Sequence, residues 1–141
     1  MAEMTNEQAL AFIAEKPRTA KLAIVKKDGS PQVVPIWVAV DGGQLVFNTG
    51  VETAKGKAMR RDPRVSLCVD DDTPPFAFVT ISGTVELITD LDEVLKWATV
   101  IGGRYMGADR AEEFGRRNAV EGEYLVRVTP TRIIGEIAVS D

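Results

Sequence analysis

The chain has 141 residues, a net charge of −4, one cysteine and no histidine. That length fits one domain, 1–141, whose core needs neither disulfide nor metal. The acidic balance and 6% aromatic content argue against nucleic-acid binding, and the missing histidine excludes Ser-His-Asp and Cys-His catalysis and histidine zinc sites.

The opening MAEMTNEQALAFIAEK has neither the basic start nor the apolar run of a secretory signal. No stretch is long enough to span a bilayer, so a soluble cytoplasmic domain with no membrane partner is expected. TNEQALAFIAEK reads as a short amphipathic helix. Thr5 is its cap, Gln8 the capping-box partner, and Leu10, Ile13 and Ala14 its apolar side; Pro17 ends it. From Thr19 to Gly50 the pattern predicts three strands joined by tight turns at Asp28-Gly29 and Asp41-Gly42-Gly43. Pro35 removes a backbone donor from the second, which marks an edge, a bulge or a ligand there.

Residues 53–61 form the next predicted helix, with Thr53 at its N-cap and Asp62-Pro63 as its stop. RVSLCVDD is a strand with Val65, Leu67 and Val69 on one face. Its Cys68 reads as a small buried residue, since no neighbour in sequence activates the thiol. Asp70, Asp71 and Asp72 lack the glycine and downstream glutamate of a calcium loop and read as a solvated turn, with no metal site. FAFVTISGTVELI is a longer strand bent at Gly83. A helix from Leu91 is predicted to end at Gly102-Gly103, leaving Arg104 and Tyr105 either on the rim of a site or in a surface turn. GADRAEEFGRRNAV is a polar helix, and EYLVRVTPTRIIGEIAV gives two strands broken at Thr129-Pro130. Short strands joined mainly by hairpins, with helices between them, predict a mainly β fold: an antiparallel barrel with short helices at its rim.

The most informative stretch is TAKGKAMRRDPR, which packs five Lys and Arg residues into ten positions of an acidic protein. A helix start exposes unpaired N–H groups and the positive end of the dipole, so it attracts anions. Thr53 offers a hydroxyl there. Gly56 lets an anion approach the backbone, and Lys55 and Lys57, pointing in different directions, can grip a phosphate from two sides. Ala54 and Ala58 are small enough to lie on the sheet. Arg60, Arg61 and Arg64 read as a solvated face.

SPQVVPIWVAVDGGQLVFNTGVETAKGKAMRRDPRVSLCVDDD followed by FVTISGTVEL resembles the pyridoxamine 5′-phosphate oxidase-like split β-barrel flavoproteins. Within that family it is most similar to the branch that uses the deazaflavin coenzyme F420. The resemblance spans about residues 10 to 137 and rests on four elements. These are the proline-containing second strand, the N-T-x(3)-T-x-K step, the RRDPRVSL exit and the V-x-I-x-G strand. It implies a homodimer with two cofactor sites between the subunits. Val33, Val34, Pro35 and Ile36 would lie beside the flavin-type ring, and Asn48 and Thr49 would end the strand leading to the phosphate. Thr53, Lys55, Gly56 and Lys57 would hold that phosphate, and Phe78, Val79 and Thr80 would cross near the ring. Oxidases of the family that use flavin mononucleotide (FMN) commonly carry Ser-Arg-Lys where this chain has Thr53-Ala54-Lys55. The segment ending GGRYM is similar to one found in deazaflavin-using relatives.

The resemblance therefore implies an F420-dependent reductase that passes a hydride to an unsaturated or heteroaromatic small molecule. An FMN-dependent oxidoreductase and a non-catalytic module for a flavin or tetrapyrrole are the alternatives. No catalytic residue is assigned; Tyr105, a lysine and solvent are the candidate proton sources. Trp37 and Trp97 are candidates for either a pocket wall or core packing.

Overall fold

A computed structural model describes all of residues 1–141. Its strands are β1 (Ala2–Glu3), β2 (Ala20–Val25), β3 (Pro31–Ile36), β4 (Ala39–Asp41), β5 (Gln44–Gly50), β6 (Arg64–Asp71), β7 (Ala77–Ile88) and β8 (Glu123–Ile137). The helices are α1 (Asn6–Glu15), α2 (Ala54–Arg61), α3 (Leu91–Met106) and α4 (Ala111–Asn118), the last preceded by a 3₁₀ turn at Ala108–Arg110. No helix is long and apolar enough to cross a membrane.

The sheet runs β3-β2-β6-β7-β8-β5-β4, with every neighbouring pair antiparallel and β1 paired to the end of β8. Its two edges, β3 and β4, are consecutive in the chain and separated only by Trp37 and Val38. The sheet curls until its edges are joined by a covalent link rather than by ladder hydrogen bonds. This is a split β-barrel. It also accounts for Pro35, which lies on an edge strand where its missing N–H breaks no ladder. The expected second strand is thus two strands, because the chain must leave β2 to reach β5.

Alternation along the strands fills the barrel with Leu22, Leu45, Phe47, Leu67, Val79, Ile81 and Val126. The run Leu45-Val46-Phe47 is buried on both faces: its middle residue packs outside the barrel with Val94, Trp97 and Ile101 of α3. α1 carries the expected capping box, Gln8 N–H to Thr5 Oγ1 at 3.1 Å and Thr5 N–H to Gln8 Oε1 at 2.8 Å. Its buried residues are Ala9 and Ile13, one helical turn apart; Ala14 is exposed, contrary to expectation.

Two further boundaries differ from the sequence reading. α3 does not stop at Gly102-Gly103 but runs to Met106, because those glycines let α4 pack closely. A β-carbon on Gly102 would meet Phe114 Cβ at 2.5 Å. β8 is one strand of 15 residues, not two. Its irregularity falls where Gly83 pairs with Pro130 and Ser82 with Arg132, leaving Thr131 as the extra residue of a bulge. The bulge accommodates Pro130, so the strand bends there without ending, and Gly83 sits at the bend the sequence predicted.

Candidate functional site

β5 leads directly into α2, and the handover is built from backbone and threonine hydroxyls. Thr53 caps the helix by accepting from Gly56 N–H at 3.0 Å. Its own hydroxyl proton goes to Gly50 O at 2.8 Å, so the contact with Thr49 Oγ1 at 3.1 Å is donated by Thr49. The Thr53 oxygen is thereby saturated, and the expectation that its hydroxyl grips an anion is corrected. Thr49 is 4% exposed and serves the same cap.

Gly56 is also reassigned. It is buried, and a β-carbon there would overlap the Gly50 carbonyl oxygen, with Thr53 Oγ1 and Val51 O at 3.1 and 3.2 Å closing the sides. Its lack of a side chain lets the helix sit on the end of β5, rather than admitting an anion. Ala58 and Met59 complete the buried face, while Ala54 is exposed. The amides of Ala54 and Lys55 find no acceptor in the protein and face outward from the first turn.

Of the five basic residues, Lys57 pairs with Glu52 at 3.5 Å and Arg64 with Asp62 at 2.7 Å. Arg60 reaches the Tyr124 hydroxyl at 3.4 Å. The Arg64 hydrogen bond, together with the Arg64 backbone N–H, holds the Asp62 carboxyl down at about 2. Lys55 makes no salt bridge. It turns instead into a cavity of about 280 Å³ lined by Pro35, Ile36, Trp37, Asn48, Lys55, Ile101 and Asn118.

Five elements meet at this cavity: the end of β3 and its link to β4, then β5, α2, α3 and the C-terminus of α4. Asn48 Nδ2 is buried with no hydrogen-bond partner. An orphaned buried donor costs about 1–3 kcal/mol, so the carboxamide is poised for an acceptor that the protein does not supply. Trp37 forms one wall and stacks on Tyr105, ring centroids 5.0 Å apart and 3° from parallel. The Tyr105 hydroxyl accepts from Val38 N–H at 3.1 Å and donates to Arg18 O at 2.7 Å. Arg104 donates to the carbonyls of Ile13, Ala14 and Lys16 at 2.6–2.8 Å, closing the C-terminus of α1. Neither residue lies in a surface turn. Together they tie α1, α3 and the Trp37-Val38 link into one unit. Trp97, at 8% exposed, is a core residue.

The remaining predicted site residues lie elsewhere on the chain. Side chains alternate along β3, so Val34 packs against the barrel core while Val33 points outward, 62% exposed. Only Pro35 and Ile36 of that quartet line the cavity. Val79 is buried in the barrel core. Phe78 and Thr80 occupy the opposite face of β7, beside Glu136 and Ile134 of β8, and do not line the cavity of this chain. Ile101 and Asn118 are lining residues that sequence reasoning missed. Nothing near them in sequence marks them, because only the packing of α3 and α4 brings them to β3.

A carboxylate from β8 lies near the start of α2. Glu123 is half-buried and faces Gly50 across the β5/β8 pair; its Oε1 lies 3.8 Å from where a β-carbon on Gly50 would be. Burial raises its carboxyl above the usual range, against the opposing pull of the Lys55 charge.

The sequence profile of the pyridoxamine 5′-phosphate oxidase family matches residues 5–135. Among solved structures, the chain is similar to a conserved hypothetical protein from Mycobacterium tuberculosis at 25% identity and a TM-score of 0.80, covering 92% of this chain and 82% of that one. An F420 reductase matches at 26% identity and a TM-score of 0.66, covering 87% and 94%. A FAD-binding protein from Mesorhizobium loti matches in fold alone, at 22% identity and a TM-score of 0.67, covering 95% and 93%.

Proposed function

Since the chain belongs to the pyridoxamine 5′-phosphate oxidase family, we propose that it is an oxidoreductase using the deazaflavin coenzyme F420 to reduce a small organic molecule. The observation that carries this reading is the meeting of an unpaired Lys55 and the orphaned Asn48 amide in one cavity beside the open amides of α2. A phosphate needs such a set: one flexible cation, fixed neutral donors and a helix dipole. The roughly 280 Å³ available is small for a whole cofactor. It would take the phosphate end, leaving the rest of the cofactor outside it.

Lys55, Asn48 and the Ala54 and Lys55 amides would hold the cofactor's phosphate end. Pro35 and Ile36 would border the ring, and Asn118 would offer a further carboxamide from α4. When bound and reduced, a deazaflavin supplies a hydride. The chain's own work is to orient the acceptor and exclude water, and Trp37, held flat by Tyr105, gives the cavity a rigid wall. On this reading Tyr105 would serve to position Trp37 rather than as proton source, since its hydroxyl proton is engaged by Arg18 O. A lysine or solvent supplies that proton.

The choice of F420 over FMN draws on the similarity to the F420 reductase and on Ala54, which stands where FMN-using relatives commonly carry arginine. A homodimer would complete the open side of the site and bring the exposed β3 face and the outer residues of β7 toward a partner's cavity. Side-by-side fluorescence titration of the purified protein with F420 and FMN tests the reading. Saturable F420 binding, weaker FMN binding and hydride transfer from reduced F420 to an acceptor are expected. A yellow protein that purifies with FMN and ignores F420 would overturn the deazaflavin assignment. Binding without transfer to any acceptor would favour the non-catalytic module.

A further inference from the structure

Around the first turn of α2 the fixed charges cancel. Lys57 is engaged by Glu52 at 3.5 Å. Glu123, paired with Gly50 on the neighbouring strand, forms no ion pair with Lys55 and lies outside the cavity lining, but its Oε1 stands 3.8 Å from where a β-carbon on Gly50 would be, near enough for the Lys55 charge to act on its carboxyl. Gly50 is also the residue whose carbonyl accepts both the Thr53 hydroxyl at 2.8 Å and the Thr53 N–H at 3.3 Å. The carboxylate therefore stands beside the opening turn of the helix. Arg60, which donates to the Tyr124 hydroxyl, and Arg61 lie about 8 Å further along the axis, with no carboxylate partner. An arriving anion meets a helix dipole and one lysine, opposed by a half-buried negative charge.

We propose that Glu123 is a specificity-determining residue that makes the site select a phosphodiester, with one negative charge, over a phosphomonoester, with close to two. The inference rests on the cofactor reading above and deepens it. The phosphate of F420 is a diester, whereas that of FMN is a monoester carrying about −1.5 to −2 at neutral pH. Coulomb repulsion from a fixed charge scales with the charge of the ligand. Glu123 thus opposes the monoester about twice as strongly, on a free-energy scale, as the diester. In the ratio of dissociation constants, the effect on the monoester is the square of the effect on the diester.

Glu123→Gln keeps the shape of the side chain and removes its charge. Fluorescence titrations at pH 8 with FMN and with F420, each ligand compared between parent and variant, read the two effects separately. FMN affinity is expected to rise about tenfold and F420 affinity about threefold, with both gains shrinking as salt is raised. Glu123→Ala, which leaves no amide behind, gives the same ordering. Equal or absent changes for the two ligands, in a protein where Lys55→Ala still weakens both, overturn the role of Glu123 and leave the cofactor reading intact. If Lys55→Ala weakens neither ligand, the reading of the cavity itself fails, and the assignment of Glu123 falls with it.

Discussion

Replacing Gly56 with alanine separates two explanations of the same glycine by the sign of the result. If Gly56 only opens the backbone to an anion, alanine in the ligand-free protein should stabilise α2 by about 1 kcal/mol, the difference in helix propensity. The structure predicts the opposite. The added methyl group would overlap the Gly50 carbonyl oxygen and be hemmed in by Val51 O at 3.2 Å and Thr53 Oγ1 at 3.1 Å. Two of these three neighbours are backbone, and the third is fixed by three hydrogen bonds. No flexible side chain can yield, so the cost falls at the upper end for overpacking, about 3 kcal/mol. Set against the propensity gain, the net loss is about 2 kcal/mol, or a fall in melting temperature of roughly 6–8 °C for a chain of this size. Urea denaturation of the ligand-free protein, with the slope checked for constancy, gives the free energy directly. A variant as stable as the parent, or more so, would refute the packing account and return Gly56 to the role of anion access.

Lys55→Ala removes one or two charge-assisted hydrogen bonds to the proposed phosphate, about 1.5–3 kcal/mol each, and should weaken cofactor binding at least tenfold in a fluorescence titration. Tyr105→Phe keeps the stack on Trp37 but orphans the N–H of Val38, which is fully buried. A loss of about 1–3 kcal/mol is expected in urea denaturation, while on the proposed reading the pH profile of turnover keeps its shape, because the phenol proton is held by Arg18 O. Asp62, held at about 2 by the Arg64 hydrogen bond, gives a pH prediction of definite sign. Its folded value lies below the unfolded 3.8, so its contribution to stability is present above pH 3.8 and is lost as pH falls through about 2. In carboxyl NMR titration, Asp62 of the Arg64→Ala variant should titrate closer to the ordinary aspartate range; an unchanged midpoint would contradict the pairing.

Features that depend on a few consecutive residues were legible in the sequence. The Thr5 and Gln8 capping box, the Thr53 cap, the turns at Gly29 and Gly42 and the alternation of Val65, Leu67 and Val69 all act through neighbours within one turn or one strand. Their chemistry needs no knowledge of the rest of the chain. The basic run of α2 was legible in the same way, from its own residues.

What tertiary packing alone decided was which absent or small side chains serve a ligand and which serve another part of the protein. A glycine reads identically whether its missing β-carbon makes room for a phosphate or, as with Gly56 and Gly102, for the Gly50 carbonyl and the Phe114 side chain. A tyrosine reads identically whether its hydroxyl is free or, as in Tyr105, shared between Val38 and Arg18. Ile101, Asn118 and Glu123 acquire their significance only when α3, α4 and β8 fold back onto β3 and β5. Steric exclusion and hydrogen-bond saturation act between atoms distant in sequence, and no local pattern carries that information.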